Sequence, residues 1–183
     1  MTQNNDSADL AHRIQRIEDI EAIKQTKHRY FRCFDTANIK ELAEILTEDI
    51  TLSVVGGVYG FTLEGRDAYL DMVRDGAHAE MVTQHNGHHP EVTFVHDTEA
   101  KAIWYLHDFV LDFRRHQHIT GTAFYRDTYR KEDGLWKISY SEFERIYEIS
   151  EPIEKRPNLT YHYLAEHGHK LPPGEIKPFS RED

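Results

Sequence analysis

Four blocks in the second half of the chain most constrain its fold. Val92–Val95, Ala100–Phe113, His118–Arg130 and Leu135–Tyr147 are rich in aromatic and β-branched residues. Only short polar segments separate them: His96-Asp97-Thr98-Glu99, Arg114–Gln117 and Lys131-Glu132-Asp133-Gly134. This pattern predicts a run of antiparallel hairpins. The blocks are long for strands, so the sheet is expected to bend strongly.

The first half has a different period. Leu10, Ile14, Ile17, Ile20, Ile23, Phe31 and Phe34 recur at three-to-four spacing without an intervening Gly or Pro, which predicts a helix over 8–34. Asp6 and Ser7 are candidate caps at its start. A second helix fits Ile39–Leu46 behind Asn38, a strand fits Ile50–Val55, and a third helix fits Arg66–Arg74 between Gly65 and Gly76. Helices first and a meander afterwards predict an α+β fold, with the helices packed on one face of a curved sheet.

The length of 183 residues suits one domain, expected over residues 1–150. From Glu151 onward Pro152, Pro157, Pro172, Pro173 and Pro178 disfavour long regular elements. Residues 151–183 are therefore expected as an irregular tail on the domain or on a neighbouring subunit. A net charge of −10 opposes the phosphate backbone, so no nucleic-acid partner is expected. No apolar run is long enough to span a membrane, and the start lacks a secretion signal. One cysteine, Cys33, allows no internal disulfide; a cytoplasmic location is expected.

Chemistry-bearing candidates are few. Neither a Gly-x-Ser-x-Gly elbow nor a Gly-rich phosphate loop is present. Thirteen histidines invite a metal, but a structural zinc site wants paired Cys and His, so no metal is expected. His88 and His89 are adjacent, which on a strand sends them to opposite faces. His116 and His118 fall near a predicted turn and read as solvated. His85 is placed in a loop ahead of the Val92 strand. It gains interest only with a carboxylate to fix its tautomer, and Asp35 is a candidate because it ends the apolar run Tyr30–Phe34. Spacing leaves open whether the two meet. Asp108 interrupts the apolar strand around Trp104–Leu111, where a carboxylate is paired, functional or at a sheet edge. Arg145 reads equally as its counter-ion or as a solvent-facing side chain. Tyr30 reads as core unless its hydroxyl reaches a cavity.

Taken together, Ile20–Asp35 (IEAIKQTKHRYFRCFD), the His85 segment, Trp104-Tyr105-Leu106-His107-Asp108 and Gly121–Tyr147 resemble the SnoaL-like branch of the NTF2-like fold. The likeness is nearest to the bile acid 7α-dehydratase type, with scytalone dehydratase and a dehydrochlorinase more distant. It covers roughly residues 18–150. The resemblance implies a cone, in which a bent antiparallel sheet and three helices enclose an apolar cavity. It also implies residue roles. Tyr30 would hydrogen-bond a substrate carbonyl, Asp35 and His85 would form the proton-moving dyad, Asp108 would be a second acid facing the cavity, and Arg145 a late-strand arginine. Val54 stands near a position where the family has a tyrosine, so one polar contact to substrate is missing, and the loop 55–61 has its own sequence.

The implied function is a dehydratase: a lyase that needs no cofactor and removes water from a small apolar, polycyclic or steroid-like hydroxy-ketone by His/Asp acid–base chemistry. A non-catalytic binding or oligomerising cone, or an isomerase of the ketosteroid-isomerase kind, are the alternatives. Relatives in this branch also imply a homo-oligomer, with a trimer favoured.

Overall fold

Strict alternation builds the sheet. Along β4 (Glu99–Asp112) the side chains of Ala100, Ala102, Trp104, Leu106 and Asp108 are buried, and those of Lys101, Ile103, Tyr105 and His107 are exposed. This is the period-two pattern of a strand with one face on a core. The computed structural model describes residues 2–174, with side chains from residue 6 onward.

Around β4 the sheet has six strands in the order β2-β1-β6-β5-β4-β3. The others are β1 (Leu46–Val55), β2 (Gly60–Glu64), β3 (Met81–His96), β5 (Gln117–Glu132) and β6 (Leu135–Pro152). The expected hairpins are present: β3–β4, β4–β5 and β5–β6 all pair antiparallel. The tight Asp133-Gly134 turn has both residues at positive φ, 51° and 80°, as a two-residue hairpin whose twist matches its strands requires. Two features depart from the sequence expectation. β1 lies parallel to β6, so the sheet is not wholly antiparallel. β3 begins at Met81, well ahead of Val92.

Helix α1 (Thr2–Asp35) covers one face of the sheet. Its buried side chains Ile23, Lys27, Tyr30 and Phe31 follow the three-to-four spacing of one helical face. The packing is narrower than the sequence pattern suggested, because Leu10, Ile14 and Ile17 are exposed. Asp6 and Ser7 lie inside the helix and so do not cap it. Helix α2 (Ile39–Glu44) is shorter than expected, and it starts as expected, with the Asn38 side chain accepting from the Glu41 N–H at 3.2 Å. Helix α3 (Arg66–Gly76) follows Gly65, whose φ of +88° suits glycine, and buries Tyr69, Leu70 and Val73. Gly76 is its last residue and not a stop beyond it.

After β6 the chain returns over the domain. The Ile153 N–H donates to His116 O at 2.7 Å, the His162 ring meets Met81 O at 2.7 Å, and the short α4 (Tyr163–His167) buries Leu164. Residues 175–183, with Pro178 among them, lie outside the described residues. The result is the α+β cone: helices against a bent sheet that does not close.

Candidate active site

Asp35 is the last residue of α1, where the helix dipole disfavours an acid. Three donors from one strand offset this. Thr83 Oγ1 donates to Asp35 Oδ1 at 2.8 Å, the His85 backbone N–H donates to Oδ2 at 2.9 Å, and His85 Nδ1 lies 2.6 Å from Oδ1. Thr83 and His85 are two apart on β3 and share its face, so helix and strand meet through this one carboxylate. Burial alone would raise the Asp35 carboxyl; the hydrogen bonds and charge of His85 and the Thr83 hydroxyl outweigh it and hold the group below its ordinary value. The carboxylate fixes the imidazole with Nδ1 as donor, which leaves Nε2 as the acceptor. His85 is therefore a strand residue, not the loop residue the sequence suggested, because β3 starts early and pairs it with Asp108 of β4.

The ring is held on both sides. Phe31 lies parallel to it (8° between planes, centroids 6.3 Å apart), and Phe34 meets it edge-on at 4.8 Å. Gly87 makes this possible: a Cβ there would come within 2.1 Å of the Phe31 ring. His85 faces a cavity of about 320 Å³, whose walls include Phe34, Leu52, Val54, Phe61, Met72, Val110, Ile119 and Phe143. Tyr30, Tyr59, Thr83, Asp108, Tyr125 and Arg145 add polar groups to the same wall. Four of the five residues singled out in the sequence thus line one cavity, and the fifth, Asp35, stands behind His85.

Tyr30 reaches the cavity from α1. Its hydroxyl receives the Tyr69 hydroxyl at 2.8 Å and lies 3.5 Å from that of Tyr125. Burial pushes all three phenols well above the ordinary tyrosine value, so they remain hydroxyl donors at neutral pH. With Tyr69 donating to it, Tyr30 keeps its own proton to give. Behind these rings lies Lys27, fully buried, its Nζ 2.8 Å from Asp127 Oδ2 and 3.6 Å from the Tyr125 ring centre. Burial lowers the Lys27 ammonium and Asp127 partly restores it. Asp127 also accepts from Tyr129 at 2.9 Å and Ser141 at 2.7 Å.

The second polar pole is centred on Arg145. Its Nη1 donates to Asp108 Oδ1 at 2.7 Å, and its Nε donates to Glu148 Oε2 at 2.9 Å. Burial alone would lower the guanidinium; Asp108 and Tyr59 raise it instead. Asp108 is on an interior strand, so no sheet edge accounts for its burial. The Tyr59 hydroxyl donates to Glu148 at 2.9 Å, and burial pushes it up to about 12. Gly56 lets the Tyr59 ring fold back over the β1–β2 loop, since a Cβ there would lie 2.4 Å from it. Gly121 leaves room first for the β6 backbone and then for Arg145, because its Cβ would be 2.4 Å from Tyr147 O and 3.2 Å from Arg145 Nη1.

A β-bulge sets this pole. Ala123 pairs with Arg145 and Thr122 with Tyr147, so Ile146 is the extra residue. Gly121 then pairs with Glu148. Gly121 and Ala123 share a face, so Arg145 and Glu148 do too, although they are three apart. Glu148, Tyr59, Tyr69 and Tyr125 were not singled out in the sequence. Alternation on β5 places Tyr125 in phase with Gly121, but unbroken alternation on β6 would have turned Tyr147 inward instead of Glu148.

The remaining histidines lie apart. His88 and His89 sit at a bulge in β3, with His89 at φ +49°; both are exposed, their rings 5.7 Å apart and not sent to opposite faces. His116 is in a turn, and His118 Nδ1 is 3.6 Å from Glu151. Among the described residues no three His, Cys, Asp or Glu side chains are grouped to hold a metal ion. Cys33 is buried, which pushes its thiol up to about 11.

Several known proteins share this architecture. A candidate scytalone dehydratase from Novosphingobium aromaticivorans is 22% identical, with a TM-score of 0.66 over 92% of this chain and 98% of its own. The hexachlorocyclohexane dehydrochlorinase LinA-type3 from Novosphingobium barchaimii LL02 is 22% identical, with a TM-score of 0.67 over 87% of this chain and 99% of its own. An NTF2-like protein with a cystatin-like fold, also from N. aromaticivorans, is 23% identical, with a TM-score of 0.61 over 76% and 89%. No curated protein matches the chain in sequence. The family model of the SnoaL-like domain matches residues 15–142, most of the folded part, and the chain belongs to that family.

Proposed function

We propose that this protein is a lyase of the dehydratase kind, acting without a cofactor on an apolar hydroxy-ketone. The observation that carries the proposal is the 2.6 Å contact between His85 Nδ1 and Asp35, which leaves Nε2 as a base at the edge of an apolar cavity. Two structural relatives, whose names describe a scytalone dehydratase and a dehydrochlorinase, support the elimination class.

The chemistry follows from the residues in place. Nε2 takes a proton from the carbon beside the ketone, and the electron pair moves toward the carbonyl oxygen. Tyr30, polarised by the Tyr69 hydroxyl, donates to that oxygen; one such fixed donor is typically worth about 3 kcal/mol in a transition state. Asp35 stabilises the imidazolium that forms. The carbon–oxygen bond then breaks, and the leaving hydroxyl takes the proton from His85, departing as water. Asp108, held by Arg145, accepts a hydrogen bond from that hydroxyl and orients it. We favour a polycyclic hydroxy-ketone as the substrate class, in line with the resemblance to the bile acid 7α-dehydratase type.

The test is a panel of β-hydroxy ketones on decalin and steroid skeletons. Loss of water is followed by mass spectrometry and formation of the conjugated enone by ultraviolet absorbance. Turnover that His85→Ala and Asp35→Asn both abolish supports the proposal. Turnover that survives both, or a product that has migrated its double bond without losing water, overturns it.

A further inference from the structure

We infer that Glu148 is a specificity-determining residue: by occupying Arg145 together with Asp108, it closes the cavity to anions and reserves it for uncharged molecules. This rests on the cavity being the substrate site, and not on which reaction occurs there.

Among the described residues, Arg145 is the one Lys or Arg that lines the cavity. An acid entering the cavity would seek that guanidinium, which forks onto carboxylates. Each of its two forked edges already holds one carboxylate oxygen, Nη1 donating to Asp108 at 2.7 Å and Nε to Glu148 at 2.9 Å. Two carboxylates on one guanidinium leave the pole with a formal charge of −1, and Asp35 behind His85 adds a second negative charge to the wall. Lys27, a fully buried cation behind the tyrosines, is screened by aromatic rings and matched by Asp127. An incoming carboxylate or phosphate would lose its hydration and find no unpaired cation in return.

Glu148 faces this pole only because the Ile146 bulge turns it inward, and its side chain is 11% exposed. Its second partner, Tyr59, is a cavity wall residue. Glu148 thus touches the cavity through the two side chains it positions. The excluded class comprises free carboxylic acids and phosphate or sulfate esters. A charged group on a substrate would have to stay outside the mouth.

The experiment compares two probes of matched shape, 2-naphthoate and its methyl ketone 2-acetonaphthone, by isothermal titration calorimetry at pH 7.5. The wild-type protein is expected to bind the ketone at least about tenfold more tightly than the carboxylate. Glu148→Gln is expected to narrow that ratio by about tenfold, through tighter binding of 2-naphthoate. Asp108→Asn, which frees the other edge of Arg145, is the second variant and should shift the ratio in the same direction. A wild-type protein that favours the carboxylate, shows no preference or binds neither probe overturns the inference. So does a ratio that neither folded variant changes. Neither probe is turned over, so this outcome is independent of whether His85→Ala abolishes elimination.

Discussion

His85 and Asp108 are register partners across β3 and β4, so the imidazole and the second carboxylate project from adjacent strands into the same cavity. Asp108 in turn pairs with Gly121, and Gly121 with Glu148. One row across four strands therefore carries an imidazole, a carboxylate, a gap and another carboxylate. The gap is where the Arg145 guanidinium fits.

Asp35→Asn is expected to reduce kcat by about 100-fold or more on any substrate that the hydroxy-ketone panel identifies, because the imidazole loses its anionic partner. Steady-state kinetics check this; a loss below tenfold would remove Asp35 from the mechanism.

The same pair makes stability depend on pH. The folded Asp35 carboxyl is held below its ordinary value, so its contribution is complete above the unfolded carboxylate range. It fades as pH falls through the lower folded value. The stability gap between wild type and Asp35→Asn should be widest at neutral pH and close below about pH 4. Urea unfolding across a pH series measures it, and a gap that widens in acid contradicts the assignment.

Tyr30→Phe should cost kcat about 100-fold with little change in KM, as expected for a donor that acts mainly on the developing oxyanion. Tyr69→Phe removes only the hydroxyl that polarises Tyr30 and should cost less. Equal losses in the two variants would point to a packing role for both.

Gly121→Ala should displace Arg145, since the new methyl would lie 3.2 Å from its Nη1, while its 2.4 Å approach to the Tyr147 backbone carbonyl also presses on β6. A crystal structure of the variant should show the Arg145–Asp108 contact broken, with thermal stability reduced. An unmoved guanidinium would mean that the strand backbone yields instead.

Lys27→Met leaves Asp127 buried without its cation, at a cost of about 3–5 kcal/mol. The double variant Lys27→Met, Asp127→Leu should recover part of that loss. Chemical denaturation tests both, and a double variant less stable than the single one refutes the pairing as the cause.

Much of this site could be read along the chain. Alternation from Ala100 through Trp104 and Leu106 puts Asp108 on the inner face. The helical spacing of Ile23, Tyr30 and Phe34 puts Tyr30 toward the sheet. His85 was harder, because polar residues such as Gln84 and Asn86 and the exposed His88-His89 make an edge strand look like a loop. β2 gives a weak sequence signal for a similar reason: it is short and largely exposed.

The sequence by itself determined the α+β order, the hairpins, and which side chains could do acid–base chemistry, since periodicity and turn residues are local properties. Only the tertiary structure decided which of them meet. The Asp35–His85 contact joins a helix end to an edge strand 50 residues away, and the Ile146 bulge that turns Glu148 toward Arg145 leaves no trace in the alternation. Long-range register and a one-residue slip set both, and no local pattern encodes either.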